Sequence, residues 1–258
     1  LRPVPAAPQK AWPGGTPDLV IAMDADYTVP TEKQEAIHEI VLPTSFASSR
    51  WVTLADLQPG APDMVRDATI AIENGPLLAA WTPGEQPERT PAGTAFQLPA
   101  HARIRLRTHY KKPWEDERKA RSDRSRVGLY FTAEGPAVRA VETLSIDSSS
   151  NGAVGEPSQP IAAPMPSAVS VVSFRPLLDQ PYAELDVQAV LVSGARLPLL
   201  HLHRPRPEWS RRYWLDAPID LPAGCRVEVR TTPAPIDPDE PPRVRSGRLR
   251  LAVEYVKR

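Results

Sequence analysis

Apolar and polar residues alternate with a period of two through much of this chain. The pattern is plain in "RIRLRTHY" (103–110), "AELDVQAVLV" (183–192), "CRVEVRT" (225–231) and "RLRLAVEYV" (248–256). Successive side chains of a strand point to opposite faces, so such alternation predicts sheets with one buried face. Further strand-length runs are "AIHEIVL", "RWVTLADL", "ATIAIE", "TAFQL", "VGLYFTA", "AVSVVSF", "RLPLLHLH" and "RRYWL". Pro, Gly, Asp and Asn punctuate them as turns. Only "TEKQEAIHEI" also admits a helical period, and it is short. So many short strands exceed one ordinary sandwich. The expectation is an all-β protein of two antiparallel β-sandwich (jelly-roll) domains packed side by side.

Composition sharpens this reading. Of 258 residues, 32 are proline, which is tolerated at strand starts, edges and turns but not inside helices. Residues 1–18, "LRPVPAAPQKAWPGGTPD", read as an extended arm or linker, and the opening on Leu1 is what a fragment or processed form would give. The best internal boundary is "SIDSSSNGAVGEPSQP" (145–160), too poor in apolar residues to contribute to a core. The expected domains are therefore 19–154 and 155–258. No internal repeat is visible, although "LPAHARIRL" and "LPAGCRVEV" share a turn ahead of a strand.

A net charge of zero gives no global field for nucleic acid or anionic membrane. No apolar run nears the ~20 residues that a membrane-spanning helix needs. Cys225 is alone and reads as a small buried hydrophobe at a strand start. No nucleophile elbow, phosphate-cradling glycine loop or paired-cysteine zinc motif occurs. The histidines are His38, His101, His109, His201 and His203. His201 and His203 are two apart in a predicted strand, so both imidazoles face one side and could reach one metal ion. The segment Arg103–Arg126 is basic and holds a long loop in which Lys111, Lys112, Trp114 and Arg118 are candidate partner-binding residues, Trp114 as an aromatic anchor. A solvated loop is the competing reading. Trp209, Tyr213 and Trp214 read as core of the second domain rather than as a binding platform. The acidic "PAPIDPDEPP" is a second candidate docking loop.

Several longer stretches resemble a known family. "RWVTLADLQPGAPDMVRDATIAI", "LLAAWTPGEQPERTPAGTAFQLPAHARIRLRTHYKK" and "DRSRVGLYFT" are similar to the first domain of the type II copper, ascorbate-dependent monooxygenases. The resemblance continues through "AELDVQAVLVSG", "RPEWSRRYWLDAPIDLPAGCRVEV" and "APIDPDEPPRV", from about Trp12 onward. It implies two sandwiches, each with a copper. Three histidines would hold the electron-supplying ion, and two histidines and a methionine the oxygen-activating one.

The ligand positions depart from that pattern. Where the family has a His-His pair, "GAPDMVRDAT" places Arg66 and Asp67, and a guanidinium has no lone pair to offer a metal. His109 in "LRTHYKK" matches the family's third histidine, alone. The H-x-H expected after "AELDVQAVLV" is replaced by "SGARLP", with His201 and His203 about one strand later. Met23, Met64 and Met165 all lie outside the segment where the family has its thioether. The implied protein keeps the fold without the copper chemistry. It would be a non-catalytic scaffold or interaction module with no cofactor, serving a protein partner or larger assembly, cytochrome c-containing in some bacterial relatives. An exported location, periplasmic or extracellular, follows from the resemblance alone. The alternative is a copper-dependent monooxygenase whose rebuilt mononuclear site uses His109, His201 and His203. A third reading is a small-ligand or glycan binder.

Overall fold

The computed structural model describes residues 11–132, 138–148, 160–207, 211–234 and 249–258. The chain divides into two compact units, Leu1–Val138 and Arg139–Arg258. The first contains β1 (Leu19–Ala22), β2 (Tyr27–Val29), β3 (Glu35–Pro43), β4 (Arg50–Gln58), β5 (Val65–Ile72), β6 (Leu77–Trp81), β7 (Thr94–Leu98), β8 (Arg103–Lys111), β9 (Arg121–Asp123) and β10 (Arg126–Thr132). The second contains β11 (Arg139–Ala140), β12 (Glu142–Asp147), β13 (Ile161–Pro164), β14 (Val169–Leu178), β15 (Tyr182–Val190), β16 (Arg196–His203), β17 (Tyr213–Leu221), β18 (Arg226–Pro233) and β19 (Leu249–Lys257). The one helical element among the described residues is a single 3-10 turn at Trp114–Asp116. The segment with a possible helical period is strand β3 from Glu35 onward.

In the first unit β1, β10, β4 and β7 lie side by side in that order, and β3, β8, β5 and β6 form a second sheet. In the second unit the orders are β12-β19-β14-β17 and β13-β18-β15-β16. Setting aside the small β2–β9 ribbon and the two-residue β11, each unit has eight main strands among the described residues, in the orders 1-8-3-6 and 2-7-4-5. Both are jelly rolls of identical connectivity. Every pairing whose register is described is antiparallel, as the alternating patterns predict. Because β12 pairs along its whole length with β19, residues 142–147 belong to the second jelly roll. The boundary expected near 155 therefore moves back to Val138/Arg139, and all of the "SSSNGAVGEPS" stretch except Ser148 lies outside the described residues.

Each core lies between its two sheets. Val52, Phe96, Ile70, Leu106 and Leu129 fill the first, and Phe174, Leu185, Val187, Val229, Leu251 and Val253 the second, all almost wholly buried. Removing such side chains from water contributes ~1.5–3 kcal/mol each. Cys225 is buried in the second core, as its sequence context predicts. Prolines within the described strands sit where a missing N–H is tolerated. Pro43 and Pro164 end strands, Pro198 and Pro218 occupy edge strands, and Pro176 lies beyond the point where β17 stops pairing with β14.

The arm is more ordered than a linker from Ala11 onward; residues 1–10 lie outside the described set. A Cβ at Gly128 would sit 2.8 Å from Pro17 and 3.0 Å from the Trp12 ring, so the arm lies directly on β10 where only glycine leaves room. Tyr130 donates its hydroxyl to the Gly15 carbonyl at 2.9 Å, and Asp18 accepts from the Phe131 N–H at 2.7 Å.

Candidate functional site

The outer face of the first unit's β3-β8-β5-β6 sheet carries the polar half of the alternation. On β8 these residues are Arg103, Arg105, Arg107, His109 and Lys111, with Ile104, Leu106, Thr108 and Tyr110 buried beneath. His109 stands across from Asp67 on β5 and Ile37 on β3, and Glu35 is two residues along β3 on the same face. The His109 ring faces a carboxylate at each nitrogen: Nδ1 lies 2.7 Å from Asp67 Oδ2 and Nε2 2.5 Å from Glu35 Oε1. The bond to His109 holds the Glu35 carboxyl below its ordinary value, aided by the nearby charges of Lys111 and Arg66. Arg66 sits in the β5 bulge and is exposed.

This arrangement does not fit a copper. A metal on His109 would have to displace a carboxylate from one ring nitrogen. A single ion cannot bridge Nδ1 and Nε2 of one ring, because their lone pairs diverge. Asp67 of the Arg66-Asp67 dipeptide supplies a hydrogen bond that ties β5 to β8. His109 fastens three adjacent strands.

The second unit places His201 and His203 on the outer face of edge strand β16, both exposed. Directly across on β15 stand Asp186 opposite His201 and Glu184 opposite His203. His201 Nδ1 is 2.7 Å from Asp186 Oδ1, and that bond, with the charges of Asp186 and Glu184, raises the imidazole above its ordinary value. Beside it a depression of about 430 Å3 is bounded by Gln188, Pro198, Leu200 and Arg230, where the β15–β16 register shifts. The proposed ligands His109, His201 and His203 thus belong to two different units. Among the described residues no three His, Cys, Asp or Glu side chains are grouped to hold a metal.

The remaining histidines have local roles. His38 stacks on Tyr27 with centroids 3.9 Å apart, and burial pushes its imidazole below the ordinary value. His101 occupies a turn at φ 56°.

The loop after β8 combines an exposed tip with a buried brace. Trp114 is 84 % exposed. Two residues before it Lys112, expected to be available to a partner, is 1 % exposed. Its Nζ donates to the backbone carbonyls of Pro30 (3.0 Å), Thr31 (3.3 Å), Glu117 (2.8 Å) and Lys119 (2.9 Å). The ammonium therefore clamps the 30–31 turn to the 117–119 turn from inside, and it is removed from the candidate contact set. Asp116 braces the same loop by pairing with Lys119 at 2.8 Å and with Arg121, which also reaches Asp63 at 2.7 Å. Lys111 is half exposed and pairs with Glu35 at 3.8 Å, and Arg118 is exposed. The lysine cage has no sequence signal; Lys112 reads there as one more basic residue. Glu35 could have been placed on His109's face from the alternation of β3, but not its reach.

In the second unit Tyr213 and Trp214 are partly buried on β17, and Arg212 lies over the Trp214 ring at 5.0 Å. Trp209 and most of "PAPIDPDEPP" lie outside the described residues.

A groove of about 660 Å3 in the first unit is walled by Leu57, Trp81, Pro59 and Pro83 and by Ala11 and Pro13 of the arm, with Arg124 and Arg126 among its lining.

No family model matches the chain, and neither does any curated protein. Among solved structures, a Paenibacillus xanthan lyase matches with a TM-score of 0.26 and 13 % identity over 98 % of this chain, which spans only 27 % of the lyase. The PBCV-1 virus capsid matches at 0.33 and 7 % identity, over 90 % of this chain and 94 % of that one. The CBM22-1-CBM22-2 tandem domain of Paenibacillus barcinonensis Xyn10C matches at 0.25 and 11 % identity, over 98 % and 100 %. Likeness at this level carries no functional argument.

Proposed function

We propose that this chain is a non-catalytic interaction module on a copper-monooxygenase-like skeleton, which engages a protein partner through the Trp114 loop within a larger exported redox or membrane-associated assembly. The observation that carries this reading is the contrast between Trp114 and Lys112. A large aromatic stands almost wholly in water on a loop whose underside is fixed by four carbonyl bonds. An exposed tryptophan on a pre-ordered loop loses little entropy on docking, and tryptophan is enriched among residues that dominate binding energy. Lys111 and Arg118 supply the polar surround. The carboxylate bonds of His109 support a structural rather than a ligating role, which sets this reading above a rebuilt copper site.

The test is capture of the partner from the native source by wild type and by Trp114→Ala, with a photo-crosslinker at Arg118 as the second arm. The module reading expects Trp114→Ala to lose the captured protein without a change in unfolding midpoint, and the crosslink to report the same protein. Unchanged capture, or copper- and ascorbate-dependent C–H hydroxylation by the chain, would overturn it.

A further inference from the structure

Beneath the docked arm lies a carboxyl group that the fold leaves incompletely bonded. Asp56, on β4, is directly opposite Gly128 of β10, and directly opposed residues of an antiparallel pair present their Cβ positions to the same face. That is the face on which Pro17 and the Trp12 ring press against Gly128. Asp56 is 1 % exposed. Its Oδ1 accepts from the Leu57 N–H at 2.8 Å, while Oδ2 has no hydrogen-bond partner.

The charged and titratable groups around it are engaged elsewhere. Tyr130 of β10 donates to the Gly15 carbonyl, and Asp18 of the arm accepts from the Phe131 N–H. Arg89 donates to Thr53 Oγ1 at 2.7 Å, and Arg126 of β10 donates to Gln58. No cation is bonded to Asp56, so burial dominates and pushes its carboxyl up to about 6.

We propose that residues 11–17 form a strap whose seating is gated by the protonation of Asp56: the neutral acid stays covered, and the carboxylate draws water beneath the strap and loosens it. The sign follows from linkage. The seated state holds the proton more tightly than the unseated one, so seating is favoured at low pH. It weakens as pH rises from the ordinary aspartate range, near 4, through about 6. The strap supplies Ala11 and Pro13 to the wall of the 660 Å3 groove, so its release would also open that groove. The Gly15 N–H donates to the Trp12 carbonyl within the strap, and the Asp18 N–H at its inner end donates to the Leu129 carbonyl of β10, both at 3.0 Å.

Hydrogen exchange resolved by residue, corrected for the intrinsic effect of pH, tests this on the full chain. Protection of the Gly15 amide should fall as pH rises through the ordinary aspartate range and level off above about 6, with a total change of up to roughly a hundredfold. Asp56→Asn, which keeps the bond to Leu57 but cannot ionise, should give protection independent of pH. Wild-type protection without a step in this range overturns the proposal, and so does a step that survives in Asp56→Asn. If that variant fails to fold, the carboxyl carbon of Asp56 in the wild type decides by NMR. A titration midpoint near 6, where protection levels off, supports the gate, and an ordinary aspartate midpoint overturns it.

Discussion

The two jelly rolls match in register down to single residues, yet their fourth strands, β5 and β15, use their carboxylates differently. In both units the fourth strand shifts register against the seventh at the same place, just before Asp67 in one and Glu184 in the other. Both second strands end on a proline facing the first arginine of the seventh, Pro43 with Arg103 and Pro164 with Arg226. The next N–H, of Thr44 or Met165, donates at 3.0 Å to the carbonyl of Ala102 or Cys225. The shared turn motif is the link: "LPAH" and "LPAG" both join sixth strand to seventh, and their fourth residues, His101 and Gly224, take φ 56° and 80°. From this common frame Asp67 bonds inward along the sheet to His109, which is itself closed by Glu35. Asp186 instead bonds outward to His201 on an edge strand, where His203 stands in water. The lesson is that position in the sheet, more than residue type, decides whether an acid–histidine pair holds strands together or decorates a surface.

Lys112→Ala has the largest expected effect, because it leaves the carbonyls of two turns in the first unit without their ammonium donor. Denaturant unfolding should show a loss of about 3 kcal/mol. Gly224→Ala should cost about 1–2 kcal/mol, since its Cβ meets Val192 at 3.0 Å on a left-handed backbone. His109→Ala removes two partly exposed charge-assisted bonds, and solvent screening limits the loss to about 1 kcal/mol. That contribution has a definite pH dependence. Glu35 is held below its ordinary value when folded, so its share is present above the unfolded value near 4.5 and is lost as pH falls through the folded one. A His109→Ala variant should therefore lose its deficit against wild type in acid. His101→Gly should stabilise by about 0.5–1 kcal/mol, the opposite sign to Gly224→Ala at the equivalent turn. Asp186→Asn should leave the unfolding midpoint unchanged and return the raised His201 titration, followed by NMR, to the ordinary histidine range.

Much of the fold was legible because it follows from period-two patterning and proline placement. β8, β15, β18 and β19 lie where their alternation puts them, and edge positions explain the prolines inside β16 and β17. The domain boundary was not legible. The apolar-poor stretch around 155 lies just beyond β12, and nothing local reveals that β12 pairs with a strand more than a hundred residues later. The duplicated turn was visible as four letters, but only the register shows that it recurs at the same corner. At the candidate site the alternation placed His109 and Lys111 on one face. Burial of Lys112 depends on two distant turns converging on it, which no local pattern encodes. Trp114, singled out in the sequence as a candidate aromatic anchor, is 84 % exposed in the structure.

Whether His109 is a fastener and not a ligand is tested most directly by copper titration of the intact chain. Followed by calorimetry and by the electron paramagnetic resonance of the bound ion, wild type and His109→Ala should give the same result, with no copper held through that imidazole. One tightly bound copper per chain, with histidine nitrogen coupling that disappears in His109→Ala, would contradict it.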